Sequence, residues 1–103
     1  MVQLSKALKI IKAPLKSIEG SEITLKSDLT AGAFEVVMRE KEEVSMLLVA
    51  LEALIIDWNL EGDDKVKLEI NRENLKLIPM FDLKDLLGVT AFGAKLDELQ
   101  KKS

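Results

Sequence analysis

Hydrophobic and polar positions divide this chain into short segments of different period. Val44, Leu48, Leu51, Ile55 and Trp58 recur at spacings of four, three, four and three, the period of one helix face. Leu47, Ala50 and Leu54 widen that face, and only Ser45, Glu52 and Asp57 are polar between residues 44 and 58. A helix this apolar is either central in a fold or covered by another subunit. The neighbouring segments are short, so Leu47, Leu48, Leu51, Leu54, Ile55 and Trp58 are expected to be core or interaction residues, with some of this surface left for a second chain.

Weaker patterns flank it. Leu4, Leu8 and Ile11 lie at spacings of four and three, which predicts a short N-terminal helix or loose arm over residues 1–13, limited by Pro14. Residues 15–26 predict a β-hairpin turning at Glu19-Gly20-Ser21, with Ile23 and Leu25 on one face of its second strand. Asp28 or Thr30 caps a helix whose apolar face is Phe34, Val37 and Met38, and Arg39–Glu43 is a solvated helix stretch or a bend. After Gly62-Asp63-Asp64, the alternation of Val66, Leu68 and Ile70 with lysine and glutamate predicts a half-buried strand. Asn71 then caps a helix that faces Leu75 and Ile78 inward and stops at Pro79. Asp82 is expected to cap a further helix, with Gly88 in the left-handed position after its end. A C-terminal helix over residues 89–103 carries Phe92, Leu96 and Leu99. The predicted class is a single α+β domain over residues 1–103, mostly helical, with a hairpin or three-stranded sheet against four or five helices.

Composition narrows the function classes. With 103 residues and 48% apolar content the chain can build a core, but a domain this small buries only roughly 60–70% of its unfolded surface. Fifteen basic and 18 acidic residues alternate in sign, without the clustered cations that hold a phosphate backbone, so nucleic acid is not an expected partner. The longest apolar run, Met46–Ile56, contains Glu52 and falls short of the ~20 residues that cross a bilayer. There is no signal-peptide pattern at the N-terminus, and a soluble intracellular protein is expected.

The chain contains no histidine and no cysteine, which removes the commonest general base, thiolate chemistry and zinc sites of nitrogen and sulfur ligands. Three carboxylate pairs, Glu42/Glu43, Asp63/Asp64 and Asp82/Asp85, sit among polar residues and are expected to be solvated. Asp57–Gly62 matches the first half of an EF-hand loop, but Leu68 occupies the position that needs a bidentate glutamate. Gly88–Lys95 imitates a phosphate-binding loop with its lysine one place late and Leu96 where the magnesium-binding hydroxyl belongs. No catalytic residue, metal or cofactor is expected. Trp58 continues the buried helix face, which favours a core position with its indole N–H on a carbonyl over a subunit contact.

The order of pieces resembles the tail assembly chaperones of long-tailed (siphovirus-like) bacteriophages and prophages. Glu22-Ile23-Thr24-Leu25-Lys26 followed by Leu29-Thr30-Ala31-Gly32 and Phe34-Glu35 is similar to the family's hairpin strand and "LTAG" helix start. Leu54-Ile55-Ile56-Asp57-Trp58-Asn59-Leu60 resembles its apolar helix ending in "DWN". Asn71-Arg72-Glu73-Asn74-Leu75 through Ile78-Pro79 resembles its "T-x-E-N-L…L-P" segment, with Asn71 in place of the threonine cap and no preceding proline. The resemblance implies a non-enzymatic assembly factor of the host bacterial cytoplasm, absent from the finished virion. It would bind the tape measure protein, help the tail tube protein polymerise around it, and self-associate into a homo-oligomer. One alternative is a small oligomeric head–tail or tail structural protein. Another is a carboxylate enzyme using a divalent metal, which saturable binding of calcium, magnesium or manganese in calorimetry distinguishes.

Overall fold

The computed structural model describes residues 9–101, with side chains through Leu96. It is an α+β fold: a three-stranded antiparallel sheet and five helices among the described residues. The sheet has the order β1 (Ile10–Ala13), β2 (Ile23–Lys26) and β3 (Ile55–Trp58). The helices are α1 (Ala31–Met38), α2 (Glu43–Leu54), α3 (Arg72–Leu75), α4 (Met80–Gly88) and α5 (Ala91–Lys101). None is long and apolar enough to cross a membrane.

The hairpin uses a different first strand from the one expected. Ile10 pairs with Lys26 and Ala13 with Ile23, so Ile11 belongs to a strand and not to an N-terminal helix. Leu4 and Leu8, the rest of that predicted helix, lie outside the described residues. Residues 14–22 form the connection. Gly20 adopts φ 81° there, and the Ser21 hydroxyl, donating to Leu15 and Ile18 carbonyls, closes the turn. Pro14 lacks the N–H a ladder needs, which ends β1 at Ala13.

The long apolar helix is shorter than its period implies. α2 stops at Leu54, and the chain passes directly into β3, Ile55 having φ −72° and ψ 126°. Ile55 and Ile56 are β-branched and fit a pleated strand better than a helix end. Ile23 pairs with Trp58, Thr24 with Asp57, and Leu25 with Ile55, leaving Ile56 as an extra residue in a bulge. The bulge lets Ile55 and Trp58, three residues apart, both face the core while Ile56 is exposed. Their helical spacing is thus produced by an irregular strand.

α2 crosses the middle of the fold and touches α1, α3 and α4. Leu47, Leu48, Ala50, Leu51 and Leu54 are all buried by this one chain. Each fully buried leucine contributes about 1.5–3 kcal/mol. Val44, the first member of the predicted face, is 47% exposed. On α1 only Val37 is buried, whereas Phe34 and Met38 are exposed. Thr30 caps α1, accepting the Ala33 N–H at 3.2 Å, and Asn71 caps α3, accepting that of Asn74 at 2.9 Å.

The segment 66–70 is not a strand of the sheet. It makes one bridge, Glu61 with Lys67, after a turn in which Lys65 adopts φ 63°. Val66 is 61% exposed, while Leu68 and Ile70 pack half-buried against the core. The indole N–H of Trp58 donates to the Leu68 carbonyl at 2.8 Å, so a side chain takes the group a ladder would use.

Asp82 and Gly88 also differ from expectation. Pro79 occupies the position before α4, where its fixed φ suits a helix start. Asp82 lies in the first turn, buried, and accepts the backbone N–H of Ser17 at 3.2 Å, which ties the hairpin connection to α4. Gly88 is the last residue of α4 and is not left-handed; the chain continues through Val89 in a helical conformation. Thr90 then caps α5, its hydroxyl donating to Leu87 O and accepting the Gly93 N–H.

Candidate functional site

The residues singled out from the sequence are architectural. Leu47, Leu48, Leu51, Leu54, Ile55 and Trp58 are all members of the core cluster; Leu47 also lines a groove beside α4, and Trp58 a shallower one beside Asp57 and Lys67. Each member of Asp57-Trp58-Asn59 is engaged inside the chain. Trp58 is buried and bonded to Leu68 O. Asn59 Oδ1 accepts the Glu22 N–H at 2.8 Å, and its amide donates to Gly20 O at 2.9 Å, clamping β3 to the hairpin turn. Asp57 accepts Lys67 Nζ at 2.6 Å. That ammonium hydrogen bond, with the backbone N–H of Trp58 and the attraction of the lysine charge, holds the Asp57 carboxyl below the ordinary aspartate range.

Two of the three carboxylate pairs are exposed, as expected, but Asp82/Asp85 is split. Asp85 stays at the surface beside Lys16 at 3.4 Å. Asp82 is buried with Oδ2 unpartnered among the described residues. It belongs to the contact between the hairpin connection and α4, and it lines none of the larger grooves. No cluster of three potential metal-ligating side chains occurs among the described residues.

A sizeable concavity among the described residues lies elsewhere. α2, α4 and α5 wall a groove of about 570 Å³. Its apolar surface comes from Val44, Met46 and Leu47 on α2, Met80 and Leu87 on α4, and Leu96 on α5. Met80, Lys84 and Leu87 share one face of α4 at spacings of four and three. Gly93 brings α5 close to the end of α4: a Cβ there would lie 1.9 Å from the Leu87 carbonyl oxygen. The two methionines add deformable apolar surface suited to accepting a varied partner. Four residues of α4, Met80, Lys84, Leu87 and Gly88, line the groove and span about 12 Å at helical rise, or two turns of a docked helix.

This groove was not legible in the sequence beyond Leu47 and Val44. A period identifies which face of a helix is apolar, but not which part of that face remains uncovered. Leu77 and Phe81 flank Pro79 and are 72% and 82% exposed.

Comparison with known proteins yields no relative: no protein-family model, no curated protein and no solved structure matches this chain.

Proposed function

We propose that this chain is a non-enzymatic tail assembly chaperone of a long-tailed phage or prophage. In this reading it works in the host cytoplasm, binds amphipathic helices of the tape measure protein, and assists assembly of the tail tube protein around it. The observation that supports it best is the methionine-bearing groove between α2, α4 and α5, whose length and apolar lining suit a helix laid along it. The sequence resemblance supplies the identity of the partner. The complete absence of histidine and cysteine from the chain favours binding over catalysis. Leu77 and Phe81 supply the surface for self-association.

Co-expression with the long helical protein encoded beside this gene tests the reading. The partner is expected to become soluble and to co-purify with the wild-type chain. Met80→Asp puts a charge on the groove wall at a residue already 38% exposed, so the melting temperature should change little while the complex is lost. A partner that stays insoluble, or a complex indifferent to Met80→Asp, overturns the proposal.

A further inference from the structure

A second cleft shares no lining residue with the groove. It lies between the hairpin connection, the loop after β3, and α3 with the residues that follow it. Its volume is about 510 Å³, inside the roughly 300–1,000 Å³ of clefts that take a ligand. The apolar lining is Ile18, Leu60, Leu68, Leu77 and Ile78. Leu60 and Ile78 are buried and Leu68 is half-buried, whereas Ile18 and Leu77 are exposed. Hydrogen bonds hold the walls in place in the free chain. The Asn59 amide donates to Gly20 O, the Leu68 N–H to Leu60 O at 2.9 Å, and the Asn74 amide to Glu69 O at 2.7 Å.

Three exposed carboxylates, Glu19, Glu61 and Asp63, also line the cleft, and no lysine or arginine does. None of the three joins any of the seven ion pairs among the described residues. Lys65 shares the turn of Asp63 but stands outside the lining, so the cleft stays net negative. Whatever covers the apolar wall brings its own charges beside these acids, where cations are attracted and anions repelled.

We propose that this cleft docks a short basic segment of another protein, with apolar anchors against Ile18 and Leu77 and lysines or arginines beside Glu19, Glu61 and Asp63. A polyamine supplies the charge without the apolar side chains, and an acidic amphipathic segment supplies the side chains with the wrong charge. A second copy docked cleft to cleft about a two-fold axis sets the same carboxylates against each other, which disfavours this chain as its own occupant here. The inference is independent of the groove; Leu77 is the one side chain that it shares with the proposed self-association surface.

The test uses the full chain and three short fluorescent peptides. The first alternates leucine and lysine, the second has glutamate for lysine, and the third has serine for leucine. Anisotropy should show saturable binding of the leucine–lysine peptide alone, and spermidine at equal charge should not displace it. Glu19→Gln, Glu61→Gln and Asp63→Asn together remove three exposed charges and should weaken binding about tenfold at low salt, with the loss shrinking at about 0.5 M salt. Leu77→Ser should weaken it too, while Met80→Asp in the groove should not. Equal binding of the serine–lysine peptide, a triple variant that binds like wild type, or binding lost in Met80→Asp overturns the inference. So does no binding at all, including the case in which a second copy seals the cleft. These outcomes leave the chaperone reading to its own test, the capture of the long helical partner.

Discussion

The α-carbon of Gly93 sits so close to the Leu87 carbonyl that a Cβ on it would approach the oxygen to 1.9 Å. That contact sets the α4–α5 corner and with it one end of the groove. Gly93→Ala must push the helices apart and should cost about 1–3 kcal/mol, the usual penalty for overpacking. Gly88, the last residue of α4, has a helical backbone and nothing within 4 Å of where a Cβ would sit, so Gly88→Ala should be neutral or stabilising by about 0.5–1 kcal/mol. Urea unfolding of both variants checks the contrast; equal effects would show that the corner is not set by this contact.

Leu51 is fully buried and Ile55 nearly so. Leu51→Asp or Ile55→Asp would place an unpaired carboxylate in the core, and each should leave the chain unfolded or aggregated at room temperature. Leu51→Ala, which leaves a cavity and no charge, should cost about 2–5 kcal/mol. Circular dichroism and light scattering report the outcome. Unchanged melting and scattering in both aspartate variants would contradict the packing described for α2 and β3.

Trp58→Phe keeps most of the buried ring but removes the donor to Leu68 O. The carbonyl then loses its partner in a partly buried place, at about 1–3 kcal/mol. Hydrogen exchange should accelerate over residues 60–70 more than in α2, because this bond holds that segment to the sheet. Uniform acceleration across the chain would point to a general packing loss instead.

Asp57 gives an acid-side dependence. Its pKa is lower in the folded chain than in the unfolded one, so its contribution is present above the unfolded value, about pH 4, and is lost as pH falls through the folded value. Asp57→Asn should therefore lower the urea midpoint slightly at pH 6, and the difference from wild type should vanish toward pH 2. The difference should be constant from about pH 5 to 8. A gap that widens in acid would reverse the sign of this argument.

The groove's lining shows why function was harder to read than class. Val44 and Leu47 belong to one apolar face in the sequence, yet Leu47 is buried and Val44 is nearly half exposed. What separates them is which neighbouring elements pack over each position, which no local pattern encodes. Ile55 and Trp58 were legible as inward-facing residues but assigned to the wrong element. Their spacing of three fits a helix, and only pairing with β2 reveals the bulge that gives a strand the same spacing. Val66, Leu68 and Ile70 mislead in the opposite sense: they alternate like a strand but have no ladder beyond one bridge.

By itself, the sequence determined the α+β class, a helix start at Asp28 or Thr30 and another at Asn71, the turn at Gly20 and most of the buried side of α2. These depend on local hydrogen-bond capping, backbone freedom and apolar period, all of which act over a few residues. The tertiary structure alone decided that Ile10–Ala13 is the hairpin's first strand, that Asp82 is buried against Ser17, and that Met46, Met80, Leu87 and Leu96 border one groove. Those outcomes depend on which distant segments meet, and the free energy of such meetings is shared by the whole core instead of being carried by any short stretch of chain.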